Sequence, residues 1–321
     1  MRVLITGGHG FLGRWLGPHL AAQGHEVWLT YHRVPPLAEL GVPGVAGSLG
    51  VDVRDAEAVE ECLRQVRPDR IYHLAAQSFP SVSWQKPAET LDTNVLGTSH
   101  LFEAHRKLGL EARILVACSS AEYGLVKQED TPTKETHPLA PLHPYGVSKV
   151  AQDLLAYQEH KNHGTHTARV RIFNTTGPGK TGDAPSDFTR RCVEVELGLR
   201  PQVIPVGNLE PKRSFCDCRD MVRGLEAALE KGKPGEVYNA GGSQAVPMRD
   251  LLQLAVSLTK GGARPEVDAA LLRPTDEPII LGDHGKLKRD TGWEPRLPLR
   301  QTLEDMVQRW RTVLGPTAKG G

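Results

Sequence analysis

Three glycines at fixed spacing, Gly7, Gly10 and Gly13, constrain this chain more than any other feature. They follow directly on the aliphatic run Val3, Leu4, Ile5 and open a stretch in which Leu12, Trp15, Leu16 and Leu20 recur at helical spacing. Strand, glycine turn and amphipathic helix, in that order, make the first half of a βαβ unit. Glycine permits positive φ and close approach of a ligand to the backbone, and the helix N-terminus then offers free N–H groups to a pyrophosphate. Gly24 stops the helix and residues 26–31 read as a second strand, so the pattern predicts a dinucleotide site at Gly7, Gly10, Phe11 and Leu12.

The alternation continues with a helix over 56–66 capped by Asp55, a strand 70–74, a helix of about 86–108 and a strand 114–118. A helix over 145–163 starts behind Pro144, a good first-turn residue, and a strand 168–173 closes the regular region. Strands separated by helices of this length predict an α/β fold with a doubly wound parallel sheet, Rossmann-type, covered on both faces. After Asn174 a run rich in Thr, Gly and Pro breaks the pattern. The remainder mixes short strands (203–206, 237–239) with helices (217–231, 248–259, 299–312). The expected organisation is a dinucleotide-binding domain, 1–173 plus about 215–240, and a smaller, discontinuous α/β substrate-binding cap, about 174–214 plus 241–321.

Composition narrows the partners. The 39 Lys and Arg balance 38 Asp and Glu, leaving no basic field for nucleic acid. Five cysteines are an odd number in a long chain, the wrong arithmetic for a disulfide framework. Cys216 and Cys218 lack the second pair that a four-ligand zinc site needs, and no metal is expected. No apolar run approaches the roughly 18 residues of a membrane helix, and no secretory leader pattern opens the chain. A cytoplasmic protein without membrane or nucleic-acid partners is the expectation.

The residues also suggest chemistry. At the end of the second strand an NAD site wants a carboxylate for the ribose, but Tyr31, His32 and Arg33 stand there. Arg33 suits a 2′-phosphate, which favours NADP(H) and leaves NAD(H) open, while Asp52 and Val53 are placed to hold the adenine. Ser119 and Ser120 fall at a strand end, the edge where open α/β sheets place ligands. Tyr145 and Lys149, four residues apart on a helix, share one face. A free phenol titrates at roughly 10, and Lys149 with an oxidised nicotinamide would lower it toward the working range. Lys149 could also hold the nicotinamide ribose, and Ser119 could donate to the reacting oxygen.

With these residues in order, the chain resembles an extended short-chain dehydrogenase/reductase acting on nucleotide sugars. The resemblance rests on Thr6 to Gly13, His73-Leu74-Ala75-Ala76, Asn94-Val95-Leu96-Gly97-Thr98, Ser119 to Gly124, Tyr145 to Lys149, and Phe173-Asn174 with Gly177-Pro178-Gly179. It implies a catalytic set of Ser119, Tyr145 and Lys149. Leu74, Ala75, Ala76 and Asn94 join the cofactor contacts, and Ser120, Glu122 and Asn174 face the substrate. Sugar-nucleotide 4,6-dehydratases carry a glutamate base in this serine segment. Here Ala121 occupies that position and Glu122 lies one residue later, on the other face of an extended strand. The later runs 206–210, Arg213-Ser214-Phe215, Arg219-Asp220 and Leu272-Arg273-Pro274 are similar to GDP-4-keto-6-deoxymannose reductases. That likeness implies Arg213 and Arg273 on the diphosphate and Glu277 on the nucleotide ribose. The implied activity is NADP(H)-dependent reduction of a 4-keto-6-deoxy nucleotide sugar. A GDP-mannose-type 4,6-dehydratase, a nucleotide-sugar 4-epimerase and a non-catalytic dinucleotide-binding regulator are the alternatives. Asn174-Thr175-Thr176 and Ser214 depart from the reductase pattern, and the insert 180–186 is longer than expected. A homodimer or homotetramer paired through the helices near 86–108 and 145–163 is implied as well.

Overall fold

The computed structural model describes residues 1–32, 43–271 and 277–315. Its centre is a parallel sheet of β1 (Arg2–Thr6), β2 (Glu26–Tyr31), β3 (Gly47–Gly50), β4 (Arg70–His73), β5 (Arg113–Ser119), β6 (Thr167–Ile172) and a seventh strand, Val237–Ala240. Across the sheet the order is seventh strand, β6, β5, β4, β1, β2, β3, and every neighbouring pair is parallel. The order reverses between β1 and β4, and the carboxyl ends of strands at such a switch point form a ligand crevice.

Alternation along each strand feeds two cores. Val3 and Ile5 of β1, Val27 and Leu29 of β2, and Leu115 of β5 point to one face, against Leu16 and Leu20 of helix Phe11–Ala21 and Met221, Leu225 and Leu229 of helix Cys218–Lys231. Leu4, Ile71, Ile114 and Val116 point to the other, against Val59 and Leu63 of helix Ala56–Val66 and Leu101 and Phe102 of helix Gly97–Lys107. This is the period-two side-chain rule of a strand buried on both faces. A third core joins Phe188 and Cys192 of helix Ala184–Glu196, Leu251 and Leu252 of Met248–Ser257, and Leu303 and Met306 of Leu299–Leu314. Leu287 and Trp293, although late in the chain, pack into the first core beside helix Cys218–Lys231.

Two elements differ from the sequence expectation. β3 was not anticipated because Gly47-Ser48-Leu49-Gly50 has little strand propensity; pairing with β2 forms it, and a Cβ on Gly47 would meet the Trp28 ring at 2.4 Å. The single helix expected near 86–108 is instead helix Pro87–Leu91, a π-helical turn Asp92–Leu96 and helix Gly97–Lys107, preceded by helix Pro80–Gln85. Among the described residues no helix is long and apolar enough to cross a membrane, and all five cysteines are unpaired and buried.

Candidate active site

The glycine turn forms as the spacing requires. Gly7 has φ +65°, and a Cβ there would lie 2.8 Å from the Ala75 backbone. A Cβ on Gly13 would lie 2.4 Å from the Gly8 carbonyl oxygen, so only glycine lets the helix start so close to the turn. Helix Phe11–Ala21 has no side-chain N-cap and no acidic residue in its first turn, which leaves its N-terminal N–H groups to an anion. Above it opens a cleft of about 670 Å³ lined by Gly7, Gly10, Phe11, Leu12, Asp52, Val53, Leu74, Ala75 and Ala76, and further along by Ser119, Ser120, Tyr145, Lys149 and Asn174. Volume, glycine cradle and uncapped helix fit a dinucleotide.

At one end of the cleft Asp52 is clasped by Arg54, Nε to Oδ1 at 3.0 Å and a terminal nitrogen to Oδ2 at 2.6 Å, with His32 Nδ1 3.6 Å away. The Arg54 hydrogen bonds hold the Asp52 carboxyl down at about 2. His9, inside the glycine turn, binds Ser48 Oγ at 2.8 Å through Nε2, stacks edge-on to Tyr31, and keeps a buried Nδ1 without a protein partner. No carboxylate ends β2 at Tyr31 and His32, while Arg33 lies outside the described residues. Lys180 enters from the segment after β6, its ammonium 4.8 Å from the Phe11 ring centroid, and lines the cleft. Arg54, His9 and Lys180 were missed by the sequence reading. The basic residues 54 and 180 had no motif around them, and only the insert 180–186 gave a signal.

At the other end Ser119 closes β5 and Tyr145 stands in the first turn of helix Pro144–His163. The two side chains are neighbours at the end of the cleft. Lys149 is buried one turn on, donating to the Ala117 carbonyl at 2.8 Å with its Nζ 5.7 Å from the Tyr145 ring centroid. Burial pushes the phenol up to about 12, against the opposing pull of the neighbouring Ser119 hydroxyl, and the Lys149 ammonium down to about 8. The phenol thus moves opposite to the direction expected of Lys149, because desolvation dominates and the only group that lowers it is Ser119. A phenol kept protonated is suited to donate rather than to accept.

Residues 4–306 match the family described as GDP-mannose 4,6 dehydratase. The chain belongs to that family. It is 29% identical to the GDP-6-deoxy-D-mannose reductase of Pseudomonas aeruginosa, over 97% of each chain. The solved structure of RMD from Pseudomonas aeruginosa complexed with NADPH superposes with a TM-score of 0.86 at 28% identity, covering 97% of this chain and 99% of that one. The UDP-glucose 4-epimerase of Thermotoga maritima, solved with UDP-glucose, superposes at 0.89 and 26% identity over 98% and 100%. Members of this nucleotide-sugar family therefore share the fold across different reactions, and the site must decide between them.

Within the family frame several expected site residues move. Glu122 is fully buried and turned away from the cleft: its Oε1 accepts the Ser119 N–H at 2.8 Å and its Oε2 lies 3.0 Å from Arg171 Nε. As placed it cannot touch substrate, since the Ser120–Glu122 turn directs its side chain back under β5. Asn94 is also fully buried, behind the cleft wall. Its amide is spent on the N–H and C=O of Gln77 and on Ser148 Oγ, so it sets the wall rather than meeting the cofactor. Arg213 and Asn174 line a second cleft of about 310 Å³, with Phe188, Arg191 and Asn208. Glu277 lies on neither cleft wall; its carbonyl accepts from Arg213 at 2.6 Å, which aims the guanidinium. Arg273 lies outside the described residues. Asn174, Gly182 and Asp183 line both clefts and join them.

Proposed function

We propose that this chain is an NADPH-dependent reductase of a 4-keto-6-deoxy nucleotide sugar, with a GDP-linked hexose as its substrate. The observation that carries the reading is the serine segment. At the position where a dehydratase needs its glutamate base the chain has Ala121, and the only acid of the segment, Glu122, is buried behind it. Tyr145, Ser119 and Lys149 can deliver a proton to a carbonyl oxygen but leave the neighbouring carbon without a base from this segment.

When bound, the nicotinamide supplies the hydride. Tyr145, protonated at neutral pH, donates its proton to the sugar oxygen, which becomes the stronger base as the hydride arrives. Ser119 donates a hydrogen bond to the same oxygen, and Lys149 balances the phenolate left behind. Sheet-bearing residues 1–173 and about 215–240 hold the cofactor; 174–214 and 241–321 hold the nucleotide sugar, with Arg213 on the diphosphate. His9, His32 and Arg54 around the adenosine end, and the missing carboxylate after β2, support NADPH over NADH. Exposed Leu91, Leu96, Val147, Leu154 and Tyr157 on the helices flanking the site support a homodimer, checked by sedimentation. Unpaired thiols support a cytoplasmic setting.

The test follows NADPH absorbance with a GDP-4-keto-6-deoxy hexose and, separately, with GDP-mannose. NADPH loss with the keto sugar alone is expected. Conversion of GDP-mannose to the keto sugar without net cofactor change would replace the reductase by a dehydratase.

A further inference from the structure

The segment from Ser119 to Tyr123 has two sides. One faces the cleft with the Ser119 hydroxyl; the other closes over a polar cluster that the reduction does not use. Glu122 and Asp153, both 0% exposed, meet there with Cys118, and their potential ligand atoms lie within 4.8 Å of one another. The Arg171 guanidinium already fills that space, 2.8 Å from Asp153 and 3.0 Å from Glu122, so a cation stands where a metal ion would have to sit.

The two carboxyls are supplied with donors unequally. Asp153 accepts from Arg169 on one oxygen and from Arg171 Nε on the other. Arg169 also serves the Gly235 carbonyl, and Arg171 the Tyr123 hydroxyl and the Glu135 carbonyl. Glu122 Oε1 accepts the Ser119 N–H, whereas Oε2 receives no well-directed N–H donor at all. Arg171 Nε lies 3.0 Å from Oε2 without forming a well-directed hydrogen bond to it, and a carboxyl oxygen of Asp153 lies within 4.8 Å of the Glu122 carboxyl. Two carboxyl oxygens hydrogen-bond only if one carries a proton, and Asp153 is the one already supplied by two guanidiniums. The other charged or titratable neighbours are Cys118 on β5, Tyr145 and Lys149 on helix Pro144–His163, Tyr123, and Glu135 beside Tyr123. His137 stacks edge-on to Tyr123. Burial first, and Asp153 second, push the Glu122 carboxyl up to about 8.

We propose that Glu122 is a positioning residue: as a neutral acid it donates to Asp153, accepts from the Ser119 N–H, and so fixes the Ser119 hydroxyl opposite Tyr145. A neutral group also keeps a further negative charge away from the phenol that must ionise as it donates its proton. The role rests on Ser119 and Tyr145 being the reacting pair; the protonation of Glu122 stands without it.

Two measurements test this. The infrared difference between wild type and Glu122→Gln, recorded at neutral pH without substrate, should contain the carbonyl band of a protonated carboxylic acid; a carboxylate band in its place would overturn the proposal whatever the reaction proves to be. In turnover, Glu122→Ala should lose about 10²-fold in kcat, the scale of a small misplacement of a reacting group, with KM for NADPH little changed. Glu122→Gln, which keeps the acceptor and the donor, should restore most of that loss and make the fall in kcat expected above about 8 shallower than in wild type, leaving the part that belongs to Lys149. Glu122→Gln as impaired as Glu122→Ala would mean that the ionised carboxylate is required, and the proposal fails. If Glu122→Ala does not fold, wild type against Glu122→Gln decides by the same two readouts.

Discussion

The two clefts are built by different means. The larger is walled by the carboxyl ends of β1, β2, β4 and β5 and by the first turns of helices Phe11–Ala21 and Pro144–His163. Its partner is walled by Asn174, Arg191, Asn208, Arg213 and Leu271, which come from loops, short strands and one helix of the smaller layer. In the first, hydrogen bonding of a seven-stranded sheet fixes where Ser119, Tyr145 and Lys149 stand. In the second, position depends on side chains holding other side chains, as the Glu277 carbonyl holds Arg213. Under the proposed function the labour divides: sheet topology would position the reacting groups, and loops and short strands those that select the substrate.

The sharpest way to break that division is at Tyr145. Tyr145→Phe deletes the proton donor and should lower kcat about 10²–10⁴-fold while leaving the Kd of NADPH nearly unchanged. Turnover close to wild type would remove Tyr145 from the reaction. Arg213→Ala should do the reverse, raising KM for the sugar nucleotide by about 1.5–3 kcal/mol of lost charged hydrogen bonding with kcat within a few-fold of wild type. A fall in kcat with KM unmoved would show that the second cleft takes part in the chemical step.

The same division explains what was legible in the sequence. The glycine turn, the Tyr145–Lys149 spacing and the strand-end Ser119 are local patterns whose geometry follows from helix and strand periods, and each sits where the period predicts. Glu122 was misplaced because the reading treated its segment as extended; the structure turns it into a short helical cap in which Glu122 reaches back to the Ser119 N–H. Asn94 was misplaced because its partner, Gln77, is 17 residues away and only the fold brings them together. Lys180 and Arg54 belong to the same class, since nothing local marks a basic residue as lining a cleft.

A smaller effect separates close packing from ligand binding within the glycine turn. Gly13→Ala must displace the Gly8 backbone and should cost roughly 1–3 kcal/mol in denaturant-induced unfolding even without cofactor. Gly24→Ala, at φ +82° with open space around its Cβ, carries the backbone strain without a clash, whereas Gly13 lies inside a helix and carries the clash without the strain. No loss for Gly13→Ala would mean that the turn yields to the added methyl and that helix-to-turn packing is not what Gly13 provides.

The most diagnostic effect is a pH trend at Lys149. Burial lowers its ammonium to about 8, below the usual 10.5, so folding disfavours the charged form. That cost to stability is complete below about 8, where folded and unfolded chains both hold the proton, and is relieved as pH climbs from there toward 10.5. Lys149→Met should therefore be more favourable relative to wild type at neutral pH than at high pH, read as a sloping difference in urea midpoints. The lost hydrogen bond to the Ala117 carbonyl shifts the whole curve but not its slope. Arg213→Met gives the control, because a guanidinium stays charged throughout this range and its difference should be flat. A flat line for Lys149→Met as well would mean that the ammonium is solvated at the reacting end of the larger cleft, and that the desolvation holding the Tyr145 proton in place is weaker than its burial implies.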